Sequence, residues 1–560
     1  MGQVSRSKPK ASEDHKVGAG QQETLFGHPV GLYTLFFAEM WERFSYYGMR
    51  ALLIFYMGKG FLAMNDDRAY AVYGAYTALV YATPFLGGML ADRLLGARRA
   101  VVWGGLLMAA GHALMTVERA WAFYAALALL ICGNGFFKPN ISTIVGTLYP
   151  HGDPRRDGGY TLFYMGINLG AALSPLVCGY IGETYGWHYG FGLATLGMLT
   201  GVAVFVAPVR VTQALILVGA LTTSGSLFFL QNNVYQLAVN AFVAVALAIA
   251  AGVAVIALGR GGVPADAGRA PASAAGKPVS WVAGGVALAV PLAALCVLHS
   301  AVAGVVLAVF GGGALAFLLL EALRCERVER ERLFVALVLM FFSMLFWAFF
   351  EQAGSSINNF TDRNVDRAIA GGAAIPASTF QASNPVFILL FGLAFTALWG
   401  WLAARRAEPN TPVKFALGLF QLGLGFGALW LGAEHADASG MVGASWLLLG
   451  YLLHTTGELC VSPVGLSMVT RLSPARIVST VMGGWFMATA FSQYLAGLIA
   501  QLTGVHSEEG AAQVVPNASA TVHLYGDVFG QIAISAAVAA LCCFALSPLL
   551  VRWMHLEAED

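Results

Sequence analysis

Charge is scarce in this sequence. Asp, Glu, Lys and Arg make up 11% of its 560 residues, against about 25% in soluble domains. Apolar residues fill 58% of it, which leaves too little polar surface to cover a water-soluble globule of that size. A soluble enzyme, a nucleic-acid-binding module and a disordered scaffold are excluded, and the chain reads as an all-α polytopic membrane protein. The first 27 residues lack an apolar run. They read as a short cytoplasmic tail bearing Lys8, Lys10 and Lys16, not as a cleaved leader. The seven cysteines form no CxxC pair and sit in or beside apolar runs, as packing residues without disulfides. No metal-ligand spacing is present, so neither a metal nor a cofactor is expected. The G-x-x-x-x-G-K-S/T, H-E-x-x-H and G-x-S-x-G motifs are all missing, so ATP-driven transport, a membrane protease and an esterase lack their chemistry.

What the chain does have is long apolar runs. A membrane-spanning helix needs about 20 such residues. Six runs that qualify fall near 28–58, 68–91, 98–117, 120–149, 159–183 and 187–207. Four follow near 211–230, 235–258, 281–300 and 301–323, and six more near 332–358, 384–404, 413–433, 443–470, 477–502 and 523–551. Lysine and arginine favour the cytoplasmic side. With the N-terminus inside and all sixteen runs crossing, 23 of the 31 Lys and Arg fall inside and five outside. The expected organisation is a tail at 1–27, a six-helix bundle at 28–210, inserted apolar helices with a linker at 211–331, a second bundle at 332–553 and a tail at 554–560. Both termini are then cytoplasmic. The Gly-, Pro- and Ala-rich stretch 259–280 reads as a flexible linker.

Burying a charged side chain at the bilayer centre costs about 2.5–3.5 kcal/mol on insertion scales. Seven charges nevertheless stand inside the expected spans: Glu39, Glu42, Arg43, Arg50, Lys138, Glu351 and Glu458. In the first span, Glu39, Glu42, Arg43, Tyr46, Tyr47 and Arg50 fall within an arc of roughly 140° at helical spacing. That face suits a wet central cavity better than lipid. Three cations face four carboxylates, so one proton neutralises the set, and the Glu39/Glu42 pair is its expected seat. Lys138 precedes Pro139, and Glu458 precedes Pro463. Each proline frees a carbonyl beside a charge, as in broken transporter helices. His454 lies one turn before Glu458, where it tunes that carboxylate or simply packs. His112, His188 and His299 read as packing residues.

Several motifs carry a family resemblance. Glu39-x-x-Glu42-Arg43-Phe44-x-Tyr46-Tyr47 resembles the signature of the proton-dependent oligopeptide transporter (POT) family, a branch of the major facilitator superfamily. Phe137-Lys138-Pro139-Asn140-Ile141-Ser142, Phe163-Tyr164-Met165-Gly166-Ile167-Asn168-Leu169-Gly170, Phe350-Glu351-Gln352-Ala353-Gly354-Ser355-Ser356 and Gly457-Glu458-Leu459-Cys460-Val461-Ser462-Pro463 are similar to its motifs on the fourth, fifth, seventh and tenth helices. Gly88-x-Leu90-Ala91-Asp92-Arg93 is similar to the superfamily's loop between helices two and three.

The resemblance implies a major facilitator fold, two six-helix bundles around a central peptide site that opens alternately to each side. It implies a proton-coupled symporter of di- and tripeptides in the cell (inner) membrane, acting as a monomer with the proton as coupling ion. Bacterial members carry two extra helices between the bundles, whereas this sequence offers four apolar runs there. Mammalian members use a histidine on the second helix; none occurs in 68–91, so proton handling falls to Glu39, Glu42, Arg43 and Glu351. Carried over residue by residue, Arg50 and Lys138 hold the peptide carboxylate and Glu458 holds the amine. Asn168 and Asn384 meet the peptide backbone, and Tyr46, Tyr47, Tyr81 and Trp485 shape side-chain pockets. Glu351 pairs with Arg50, and Lys138 with Glu458. A non-transporting sensor and a carrier of another small anion are the competing readings, and Glu458 favours zwitterionic peptides.

Overall fold

The computed structural model describes residues 23–150, 153–231, 233–270, 280–474, 476–505 and 517–555. Most of the expected N-terminal tail, linker residues 271–279, residues 556–560 and the side chain of Pro463 lie outside that description. Sixteen helical segments follow one another. The first six are α1 (Gly31–Lys59), α2 (Asp66–Leu90), α3 (Ala97–Met115), α4 (Ala120–Thr147), α5 (Arg156–Tyr185) and α6 (Trp187–Val206). Then come α7 (Val209–Phe229), α8 (Val234–Leu258), α9 (Ser280–Leu298) and α10 (Ser300–Arg324). The last six are α11 (Arg327–Asn364), α12 (Ala377–Ala404), α13 (Thr411–Glu434), α14 (Ala444–Leu472), α15 (Val478–Gln501) and α16 (Ala518–Met554). Among the described residues, eleven helices are long and apolar enough to cross a membrane, the four inserted ones included. The protein is a multi-pass membrane protein. The charged face of α1 keeps that helix out of the eleven.

Local chemistry starts these helices. Asn65, Asn233 and Asn410 accept the backbone N–H three residues on (Arg68, Gln236 and Val413, at 3.0–3.1 Å), capping α2, α8 and α13. Asp66 and Asp67 add negative charge to the first turn of α2. Two spans change pitch midway. Pro175 opens a π turn (Pro175–Gly179) inside α5, and a 3₁₀ turn (Glu351–Gly354) breaks α11 at the expected charged residue.

One apolar core joins α1–α8, with contributions from Val297 and the start of α12. A second joins α11–α16. The inserted helices are distributed between them. α7 and α8 pair and lie against α1 and α6, α9 lies on α4 and α2, and α10 lies on α15, α11 and α2. Ala303, Leu307, Leu318 and Ala322 form the buried stripe of α10, and most of its other side chains face outward.

The linker expectation is corrected for residues 259–270. They are packed along the near end, where α1 begins. The Arg98 N–H donates to the Gly268 carbonyl (2.9 Å) and the Arg98 guanidinium to the Pro264 carbonyl (3.2 Å). Gly268 has φ +72°, which suits glycine, and a Cβ there would lie 2.9 Å from Ile144. Here glycine serves a tight, docked turn and not flexibility.

At the far end, where α1 finishes, the two groups of helices are tied together. Arg363 bonds both oxygens of Asp66 (2.6 and 2.8 Å), Lys59 pairs with Asp362 (2.5 Å), and Asn359 donates to the Tyr70 hydroxyl (2.7 Å).

Pro139 sits inside α4 without ending it. The Gly135 carbonyl it frees lies against Gly87 of α2, where an added Cβ would come within 2.0 Å of that oxygen. Gly87→Ala is therefore expected to destabilise the fold by about 1–3 kcal/mol or more, since overpacking at backbone contact has no soft side chain to move. Thermal unfolding in detergent micelles checks this, and an unchanged melting temperature would contradict the close approach.

Candidate functional site

The charged face of α1 looks into a cavity of about 290 Å³ between the two groups of helices. Its walls bring together Glu39, Arg43, Tyr47 and Arg50 of α1, Tyr81 of α2, Lys138 of α4, Asn168 of α5, Glu351 of α11, Asn384 of α12 and Glu458 of α14. Three of the other expected residues do not line it. Glu42 is fully buried behind Glu39. Tyr46 is buried beneath the Arg43 guanidinium, 5.4 Å from its ring centre. Trp485 lies over Gly465 in the seam between α14 and α15, where a Cβ on Gly465 would meet the indole at 2.6 Å. A pocket role for Tyr46 and Trp485 is thus corrected. Tyr46 lies on the Glu42 side of the charged arc, about 100° round the helix from Tyr47, and turns into the helix packing, while Trp485 fills the space that Gly465 leaves open.

The ions sort into two ion-paired groups and two charges without a counter-ion. Arg43 Nε lies 3.1 Å from Glu39 Oε1 and also contacts Glu42. Arg50 Nη2 bonds Glu351 Oε2, as expected, and its Nε donates to the Tyr73 hydroxyl at 2.7 Å.

The expected Lys138–Glu458 pair is corrected. Lys138 Nζ stands 4.4 Å from the centre of the Tyr81 ring, and among the described residues no carboxylate lies within ion-pair distance of it. Glu458 takes neutral donors instead, Asn384 Nδ2 at 2.9 Å and the Tyr164 hydroxyl at 3.2 Å. The two charges sit on opposite walls, α4 and α14, each held by neutral groups before they can meet. Asn168 donates to the Tyr164 carbonyl at 3.0 Å, fixing the turn that aims Tyr164. His454 lines the cavity, but its ring packs on Phe426 (centroids 4.6 Å apart) with Nε2 unbonded, and it gives Glu458 no hydrogen bond.

Several groups of the site carry no role in the sequence analysis: Tyr164, Trp347, Phe350, Gln381 and Tyr451 line the cavity, and Tyr73 stands behind it on Arg50. Two had a signal. Tyr73 precedes Tyr81 by eight residues, about 80° round the same helix, and Tyr164 precedes Asn168 by one turn. Gln381 and Tyr451 had none, because a lone polar or aromatic residue in an apolar run carries no direction.

A model of the POT family matches residues 98–223 and 320–516. The chain belongs to that family. This POT-family chain is 35% identical over 489 residues to a peptide transporter of Yersinia enterocolitica subsp. palearctica, covering 85% of this chain and 88% of that one. It is 32% identical over 534 residues to the dipeptide and tripeptide permease A of Chromobacterium violaceum, covering 95% of each. Among solved structures, a peptide transporter POT crystallised with sulfate is 33% identical, with a TM-score of 0.72 over 95% of this chain and 97% of that one. The architecture is that of the major facilitator superfamily. The family model passes over residues 224–319, which hold most of the inserted helices.

Removing the Tyr73 hydroxyl takes a hydrogen bond from a buried guanidinium. Tyr73→Phe is expected to lower stability by about 1.5–3 kcal/mol, the usual worth of a bond to a charged group. Denaturation in detergent measures it, and a neutral result would place Arg50 elsewhere.

Proposed function

We propose that the protein imports di- and tripeptides together with protons by alternating access. The observation that carries this reading is the pair of opposite charges left without counter-ions. Arg43 and Arg50 are engaged by Glu39, Glu42 and Glu351, while Lys138 and Glu458 are not paired with any ion. A short peptide carries a carboxylate and an ammonium at its two ends. It neutralises both charges at once, and charge-assisted bonds in a low-dielectric cavity are strong. Asn168 and Asn384, lying between these walls, can serve the peptide backbone whatever its side chains. A simple anion would satisfy Lys138 and leave Glu458 unpaired, which disfavours the anion-carrier reading.

Proton coupling follows from the remaining groups. A proton on Glu351 would release Arg50, which then joins Lys138 on the peptide carboxylate. A proton on Glu39 or Glu42 would loosen Arg43. Both events act on groups that bridge or line the seam, and so bias which side is open. The basic-residue count places the near end in the cytoplasm, with both termini, and the far end outside. The Arg363–Asp66 and Lys59–Asp362 bridges then close the outer side. We place the protein in the cell (inner) membrane as a monomer that needs no cofactor beyond the coupling proton. The relatives named as peptide transporters support the peptide-transport reading.

Uptake of a radiolabelled dipeptide into proteoliposomes tests it. Uptake should rise with an inward proton gradient, and Glu458→Gln and Lys138→Ala should each lower it at least tenfold. Glu351→Gln should abolish gradient-driven uptake and keep peptide counterflow. Equal loss of both modes in Glu351→Gln would remove Glu351 from coupling, and no uptake by the parent protein would overturn the assignment.

A further inference from the structure

One half-buried carboxylate outside the central cavity also crosses the seam. Glu183 stands near the end of α5, on the first helical group. Its Oε1 accepts the Ser378 N–H at 2.7 Å and its Oε2 the Ala377 N–H at 3.3 Å. Ala377 and Ser378 open the 3₁₀ turn that leads into α12, on the second group. These are among the first N–H groups of a helix, which have no partner within it, and negative charge is favoured there. A second tie holds the same loop. Asn233, which caps α8 in the inserted region, donates to the Ala373 carbonyl at 3.2 Å, and a Cβ on Gly372 would meet the Asn233 side chain at 2.4 Å.

We infer that Glu183 is a proton-released latch on the outer gate, a positioning residue that holds the far end shut while ionised and frees it when protonated. This rests on the transport reading above. Opening the far end must pull α12 from α5 and so must break both Glu183 bonds. The ionised carboxylate accepts both N–H groups through charge-assisted bonds, whereas the protonated acid is a weaker acceptor and must place its own proton. The latch is therefore present at high pH and lost as pH falls through the titration of Glu183. An acidic exterior, which supplies the coupling proton, would thus favour the state that loads peptide.

Two charged groups face Glu183 from the second helical group, Asp362 of α11 and Arg367 just beyond α11. These two are 3.8 Å apart, and Lys59 of α1 pairs with Asp362. On the next helix, the His188 ring lies tilted against that of Tyr189, with centroids 4.1 Å apart. Glu183 thus belongs to a small charged network at the mouth and is separate from the central set.

The test is the distance between spin labels on Glu118→Cys and Glu434→Cys, two exposed far-end positions, in the full protein in nanodiscs without the exposed Cys542. The parent should show a growing long-distance population from pH 8 to pH 5. Glu183→Gln should show it already at pH 8, and its pH step should shrink at least twofold. Glu183→Ala should do the same, which guards against a defect peculiar to glutamine. Asn233→Ala, which cuts a tie that does not titrate, should raise the open population and keep the full pH step. A pH step in Glu183→Gln and Glu183→Ala equal to that of the parent would overturn the inference. No peptide is needed for this readout, so a parent that shifts as expected yet takes up no peptide would sink the transport reading alone.

Discussion

A charge inside a membrane must find a partner, and in this protein the partners are distributed unevenly. Isolated charges at that depth cost about 10–17 kcal/mol on the harsher estimates and about 2.5–3.5 kcal/mol on the milder ones. Arg43 and Arg50 meet carboxylates, one pair within α1 and one across the seam to α11. Lys138 and Glu458 are left with an aromatic face and neutral donors. That residual imbalance is what a zwitterion can relieve. The rest of the architecture, from the close packing of Gly87 on α4 to the bridges at the far end, holds these four helices where the imbalance persists.

The seam is joined at two levels. In the middle, Arg50–Glu351 and Tyr164–Glu458 cross it through groups that protons and peptide can reach. At the far end, Arg363–Asp66, Lys59–Asp362 and Glu183 with the start of α12 cross it through groups on the helix ends. Neutral bonds cross it too, from Asn359 to Tyr70, Asn233 to Ala373 and Asn358 to Ala51, and Gly74 of α2 meets Gly497 of α15 with room for no Cβ on either. Such a contact lets backbones slide without breaking polar bonds. Among the bonds across the seam, a few ionisable side chains carry the ones that a proton can change.

Much of this was legible in the sequence. Run length and the distribution of basic residues gave sixteen helices, because hydrocarbon thickness allows few alternatives. The charged face of α1 was legible because lipid does not tolerate it, and the Arg50–Glu351 pair because the family resemblance implies it. Helix periodicity orients a residue only relative to its own helix, so it could not separate Tyr47, which reaches the cavity, from Tyr46, which turns into the packing. It could not show that Asn384 and Tyr164 would reach Glu458 before Lys138 did. The glycines of 259–270 were read as flexibility, since composition cannot distinguish a loose linker from a tight turn docked on Arg98 and Ile144. The 3₁₀ turn at Glu351 had a weak cue in Gly354, Ser355 and Ser356, while the proline at 139 suggested a break in α4 that the helix absorbs.

The most direct measurement is equilibrium binding of a dipeptide, its N-acetyl form and its C-terminal amide to the purified protein. The parent should bind both blocked forms at least tenfold more weakly than the free dipeptide. Glu458→Gln should erase the difference for the acetylated form, and Lys138→Ala the difference for the amide, since each variant removes the charge that the blocked end no longer meets. Equal affinity for all three ligands would show that the two unpaired charges are not what the substrate neutralises.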